Sequence, residues 1–82
     1  MRIFVLADAL DVRGFALAGV EGACPENSDA ARAHFTRVVD DPRPVGLLLV
    51  SERVAGLLTR EVEKLVRSER PPAVLVLPGR RP

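Results

Sequence analysis

A chain of 82 residues has room for one domain around one hydrophobic core, and 48% hydrophobic with 28% charged residues is a globular balance, not a disordered one. Twelve basic and eleven acidic residues are scattered along it, and the only aromatics are Phe4, Phe15 and Phe35. Nucleic-acid binding, which needs a basic stripe and stacking aromatics, is therefore not a reading this composition supports.

The first segment, residues 3–7, is an unbroken apolar run of strand length that stops at Asp8. Continuous runs mark strands buried on both faces, as in a parallel sheet. The run is too short for a signal peptide, and no stretch reaches the ~18–20 apolar residues of a membrane span. From Asp11, read as a helix N-cap, Val12, Phe15, Ala16 and Gly19 share one helical face. Gly14, Ala16, Ala18 and Gly19 would keep that helix thin enough to lie close on the sheet.

Residues 20–24 form a short predicted second strand ending in Cys24. As the lone cysteine it can make neither an internal disulfide nor a thiolate metal cluster, and it reads as a buried or half-buried thiol. Pro25, Asn27 and Ser28 mark a loop and cap before a helix over 29–39, with Ala31, Phe35, Val38 and Val39 inward. Asp40, Asp41, Pro42, Arg43 and Pro44 end it, because proline neither continues a helix nor tolerates one just before it.

Residues 45–50, VGLLLV, are the clearest central strand. Ser51 caps one helix with Glu52 in its first turn, and Val54, Leu57, Leu58, Val62, Leu65 and Val66 make its stripe. Glu61, Glu63, Lys64 and Arg67 fall on the solvated side. Pro71 and Pro72 break the chain, residues 73–77 are a last strand, and Pro78, Gly79, Arg80, Arg81 and Pro82 close it. The order βαβαβαβ with right-handed crossovers gives a single α/β domain over 1–82. Its expected form is a small open parallel four-stranded sheet in a flavodoxin-like or Rossmann-like three-layer arrangement, strand order 2-1-3-4.

Ligands in such sheets bind at the carboxyl ends of the strands. The segment after the first strand, ADALDVRGFALAG, holds neither G-x-G-x-x-G nor a phosphate-binding loop with its Gly-Lys-Ser/Thr. A phosphoacceptor receiver would need a carboxylate ending the third strand and a lysine after a fifth. Here the third strand ends Val50-Ser51, Lys64 lies within a helix, and Asp8 and Asp11 read as turn and cap residues. Ser51 lacks a nucleophile elbow, and His34 has no acid or serine placed to form a triad. No catalytic, cofactor-binding or metal-ligating residue is assigned.

Three segments carry a resemblance. ADALDVRGFALAGVEG is similar to the signature of the F subunit of V/A-type (vacuolar/archaeal-type) ATPases, the matching residues being Asp8, Gly14, Phe15, Leu17, Ala18 and Gly19. VGLLLVSERVAGLL resembles the central strand and following helix of that family, and PPAVLVLPG its last strand. The resemblance implies a non-catalytic central-stalk (rotor) component of a rotary ATPase. It would bind the coiled-coil shaft, which is the D subunit, beside the catalytic A/B hexamer. There it would contribute to coupling or regulation of ATP turnover with ion transport. It would be cytoplasmic and peripheral to the membrane through that complex, with no cofactor, no nucleic acid and no membrane insertion of its own. The partner-binding residues it implies are Asp8, Arg13, Gly14, Phe15 and Leu17. The alternative is a degenerate receiver-like or small-ligand-binding signalling module. Family members continue into a C-terminal helix or tail, whereas this sequence stops at Pro82, so the expected fold is truncated at the C-terminus and tail contacts are not carried over.

The number of layers adds one expectation. In order 2-1-3-4 the second and third helices cover one face and the first helix the other, leaving strands three and four one cover short. That open face is expected to be covered by another chain, and in isolation to allow self-association.

Overall fold

The structure is a computed structural model and describes residues 1–79; the closing Arg80, Arg81 and Pro82 lie outside the described residues. Four strands, β1 (Ile3–Leu6), β2 (Glu21–Ala23), β3 (Leu47–Ser51) and β4 (Ala73–Leu77), pair in parallel in the order β2-β1-β3-β4. The helices are α1 (Ala9–Leu17), α2 (Ser28–Val39), α3 (Glu52–Leu57) and α4 (Thr59–Ser68). The expected α/β architecture and strand order are both present.

Period-two alternation along the strands sorts the core into two layers. Leu6, Leu48 and Val50 point to the α2, α3 and α4 side, where they meet Ala31, Phe35, Val38, Val54, Leu58 and Leu65. Val5, Ala7 and Leu49 point to the other side, where Val12 and Phe15 of α1 pack on them. The first layer is the larger, and most of the fully buried side chains belong to it.

Several boundaries differ from the sequence reading for identifiable reasons. The N-cap of α1 is Asp8, not Asp11, which sits in the first turn. Ala16 is exposed and Gly19 lies past the helix at φ +81, so neither joins the inward face. A β-carbon added at Gly14 would meet nothing within 4 Å, so this glycine does not serve close packing on the sheet. Gly22 is the glycine that does: an added β-carbon would stand 2.3 Å from Val5 Cγ1 and 2.7 Å from Val5 O.

The single helix expected after Ser51 is two. Its N-cap is as read, with Ser51 Oγ accepting from Val54 N at 3.2 Å. At Leu58 (φ −121, ψ 24) the ladder breaks, and the Thr59 hydroxyl donates toward the Ala55 and Gly56 carbonyls. A mid-segment glycine weakens the helix, and a hydroxyl bonding back to the preceding turn competes with its ladder. Leu58 at the break is fully buried in the core, and Val66, expected inward, is turned out to solvent. The second helix begins one residue early, with Asn27 Oδ1 accepting from Ala30 N at 2.9 Å.

A half-buried ion pair holds the amino ends of the strands together. Arg2 donates to Asp41 Oδ2 at 2.7 Å and to the Arg43 carbonyl at 2.7 Å, and lies 3.5 Å from Glu21. The Arg2 hydrogen bond, reinforced by the Arg43 backbone N–H, holds the Asp41 carboxyl below the usual carboxylate range. The same contact raises the pKa of Arg2.

Candidate functional site

The strand order reverses between β1 and β3, so the place this fold offers a ligand is the crevice beyond their carboxyl ends. In this chain the crevice is occupied by its own side chains. Asp8, leaving β1, accepts from Arg53 Nε at 2.5 Å across 45 residues of sequence, and this bond raises the Arg53 pKa. Arg53 Nη2 also points to Cys24 Sγ at 3.8 Å, tying the end of β2 to the same guanidinium. Glu52 Oε1 accepts from Gly79 N at 2.7 Å and holds the segment after β4 against α3.

What remains is a depression lined by Asp8, Asp11, Ser51, Glu52, Arg53, Pro78 and Gly79. Three carboxylates against one guanidinium make it a poor cradle for a phosphate, whose charge they oppose. Among the described residues no three His, Cys, Asp or Glu side chains converge as a metal site. The arrangement functions as a clasp joining three strand ends, and Asp8 belongs to it: its carboxylate makes no cap bond to α1. Cys24, expected buried or half-buried, is exposed beside the clasp, just past the end of the three-residue edge strand β2.

The other resemblance-derived positions gather on α1. Phe15 is half-buried and packs on the smaller core layer with Val12. Arg13, Gly14 and Leu17 point away from the sheet, and Leu17 is 92% exposed. Leu10, not singled out from the sequence, joins them at 59% exposure. Leu10, Arg13, Gly14 and Leu17 follow i, i+3, i+4, i+7 spacing and share one outward face of α1, with Leu10 and Leu17 as its two exposed large apolar side chains. No residue of α1 is fully buried. A shallow groove along the helix is lined by Leu10, Asp11, Gly14, Phe15 and Ala18.

Beyond that groove the sheet is incompletely covered. Leu49 is buried, so β3 is better shielded than the layer count implied. The deficit falls on β4, where Leu75 is 55% and Val76 45% exposed. By register with Leu49, Leu75 faces the α1 side, and by register with Val50, Val76 faces the α4 side.

The family described as ATP synthase (F/14-kDa) subunit matches residues 3–82. The chain belongs to that family. The match runs through α1, the clasp and β4 alike and agrees with the resemblance to the F subunit of V/A-type ATPases. An F/14-kDa subunit is an accessory component of a rotary ATPase and not its catalytic one. No curated protein matches the chain at the level that would place a relative beside that family. Among the described residues no helix is long and apolar enough to cross a membrane.

Proposed function

We propose that this chain is a non-catalytic central-stalk component of a V/A-type rotary ATPase, and that α1 is the surface by which it grips the coiled-coil shaft, the D subunit. In that position it lies near the A/B hexamer, in the cytoplasm and peripheral to the membrane, and contributes to coupling ATP turnover to ion transport. The observation that carries the reading is the outward stripe Leu10, Gly14 and Leu17 on a helix whose inward face is already occupied by Val12 and Phe15. Gly14 leaves a notch between the two leucines. Glycine costs roughly 1 kcal/mol in a helix interior, and no close contact among the described residues requires one here. A notch flanked by apolar residues suits a knob from a coiled coil, and Arg13 beside it offers a partner for an acidic residue on the shaft's flank.

The test is co-purification with the coiled-coil shaft, followed by titration of variants. In Gly14→Leu the new β-carbon meets nothing within 4 Å among the described residues and a helix-interior glycine is removed, so the isolated protein should melt no lower than wild type while binding weakens by about tenfold or more, about 1.4 kcal/mol. Leu17→Lys should do the same. Shaft binding unchanged in both variants would refute α1 as the docking surface, and absence of any shaft binding by the wild type would refute the stalk role.

A further inference from the structure

The edge strand β4 is short of protection in a patterned way. Sheet edges are normally blunted by charge, and residues 73–77 read AVLVL with none. Ala73 N donates to the Gly46 carbonyl at 3.0 Å, on the β3 side. Successive peptide groups of a strand point to opposite edges, so Leu75 and Leu77 are also turned to β3, while Val74 and Val76 present their N–H and C=O groups to the free edge. The flanking positions of the same parity, Pro72 and Pro78, have no N–H to offer. The free edge is thus a two-residue window closed by proline at each end.

We propose that this window is self-complementary, and that two copies of the chain pair antiparallel through β4 about a two-fold axis at Leu75. In that register Val74 of one copy lies opposite Val76 of the other, and both exchange N–H···O=C bonds reciprocally. The next outward positions are the buried Pro72 and the exposed Pro78, which flank the strand, so the pairing ends at the two valine pairs and needs no donor where none exists. Shifting the register sets a proline against an outward valine, whose carbonyl then loses its donor. Leu75 meets Leu75 of the second copy as a non-hydrogen-bonded pair, the closer kind at about 4.5 Å between α-carbons. On the opposite face Val76 and Val66, 45% and 60% exposed, flank the same edge, and Val66 shares a groove with Val74. The pairing joins two four-stranded sheets into one continuous sheet and covers the large apolar side chains of β4 and α4 left exposed at this edge. The contact is small, below the ~1,200 Å² of a standard interface, so the dimer is of the weak, concentration-dependent class.

Sedimentation of the whole chain across a wide concentration range tests this, with Leu75→Lys and Leu75→Glu as variants. The wild type should show a rising dimer fraction. Each variant alone should be monomeric, because it sets two like charges face to face at the axis. An equal mixture of the two should recover dimer, more weakly at high salt. Hydrogen exchange on the wild type reads the backbone directly: the Val74 and Val76 amides should slow as concentration rises. A wild type that stays monomeric throughout overturns the proposal and leaves the edge to a strand from another chain. Dimers formed by either variant alone, a mixture that stays monomeric, or Val74 and Val76 amides that exchange freely in the dimer would overturn it too.

Discussion

Leu48 and Leu75 are the same residue type on neighbouring strands, and truncating each to alanine should separate the covered face of the sheet from the open edge. Leu48 is fully buried in the larger core layer, under α2, α3 and α4. Removing its three outer carbons loses their transfer free energy and leaves a cavity that close-packed neighbours cannot collapse, a cost of about 2–5 kcal/mol. An 82-residue domain holds roughly 4–12 kcal/mol in total, at about 0.05–0.15 kcal/mol per residue. Leu48→Ala therefore removes a large share of the stability. With about 4–8 °C of Tm for each kcal/mol at this size, the melting point should fall by roughly 8–40 °C. Leu75 has more than half its surface in water and no roof above it, so Leu75→Ala loses only partial transfer, about 1 kcal/mol or less, and creates no closed cavity. Thermal melts by circular dichroism at concentrations low enough to keep the chain monomeric would read the difference. Equal losses for the two variants would refute the assignment of β4 as the uncovered strand.

Other expectations follow from single contacts. Gly22→Ala drives a β-carbon into Val5, and should unpair β2 from β1, visible as fast exchange of the β2 amides and a loss of about 1–3 kcal/mol. Asp41 is a carboxylate with a depressed native pKa, so its pairing with Arg2 stabilises the fold above the ordinary value of 3.8 and is lost as pH falls from there through the native value. Asp41→Asn should flatten that acid limb of the stability–pH curve, and an unchanged limb would count against the contact. For the clasp, a double-mutant cycle on Asp8→Asn and Arg53→Gln should give a coupling of about 0.2–1 kcal/mol, since both side chains are more than a third exposed. Exchange at Cys24 with a thiol reagent should be rapid in the native state, because the thiol is exposed.

Much of this protein was legible along the chain because parallel sheets announce themselves locally. A strand buried on both faces must be apolar at every position, so residues 3–7 and 45–50 could be located without knowing their neighbours. Proline and capping residues bounded the helices in the same local way: Asn27 and Ser51 cap, and Pro42, Pro44, Pro71 and Pro72 stop. Once the elements were in order, right-handed crossovers left few topologies, and 2-1-3-4 was among them. Counting helices against faces also gave a shortage of cover, which the structure confines to β4 while β3 is buried.

What only the tertiary structure decided depends on groups that meet across the chain or on small rotations of an element. The break at Leu58 is invisible to periodicity, because the apolar stripe keeps helical spacing straight through it. Only the pull of the core on Leu58 and the back-bonding of Thr59 end the ladder there. The clasp of Asp8 with Arg53 joins residues 45 apart, which local pattern does not couple. Gly14 and Gly22 look alike in sequence, yet one faces open solvent and the other lies against Val5. Which leucines of α1 point outward depended on where the helix begins, since moving its cap from Asp11 to Asp8 brings Leu10 into the helix and onto the outward stripe. Sequence by itself determined the layers and their order, because hydrophobic burial is written residue by residue. Which side chains stay exposed on α1 and along β4 was decided by rotation, register and edge, which exist only once the layers are assembled.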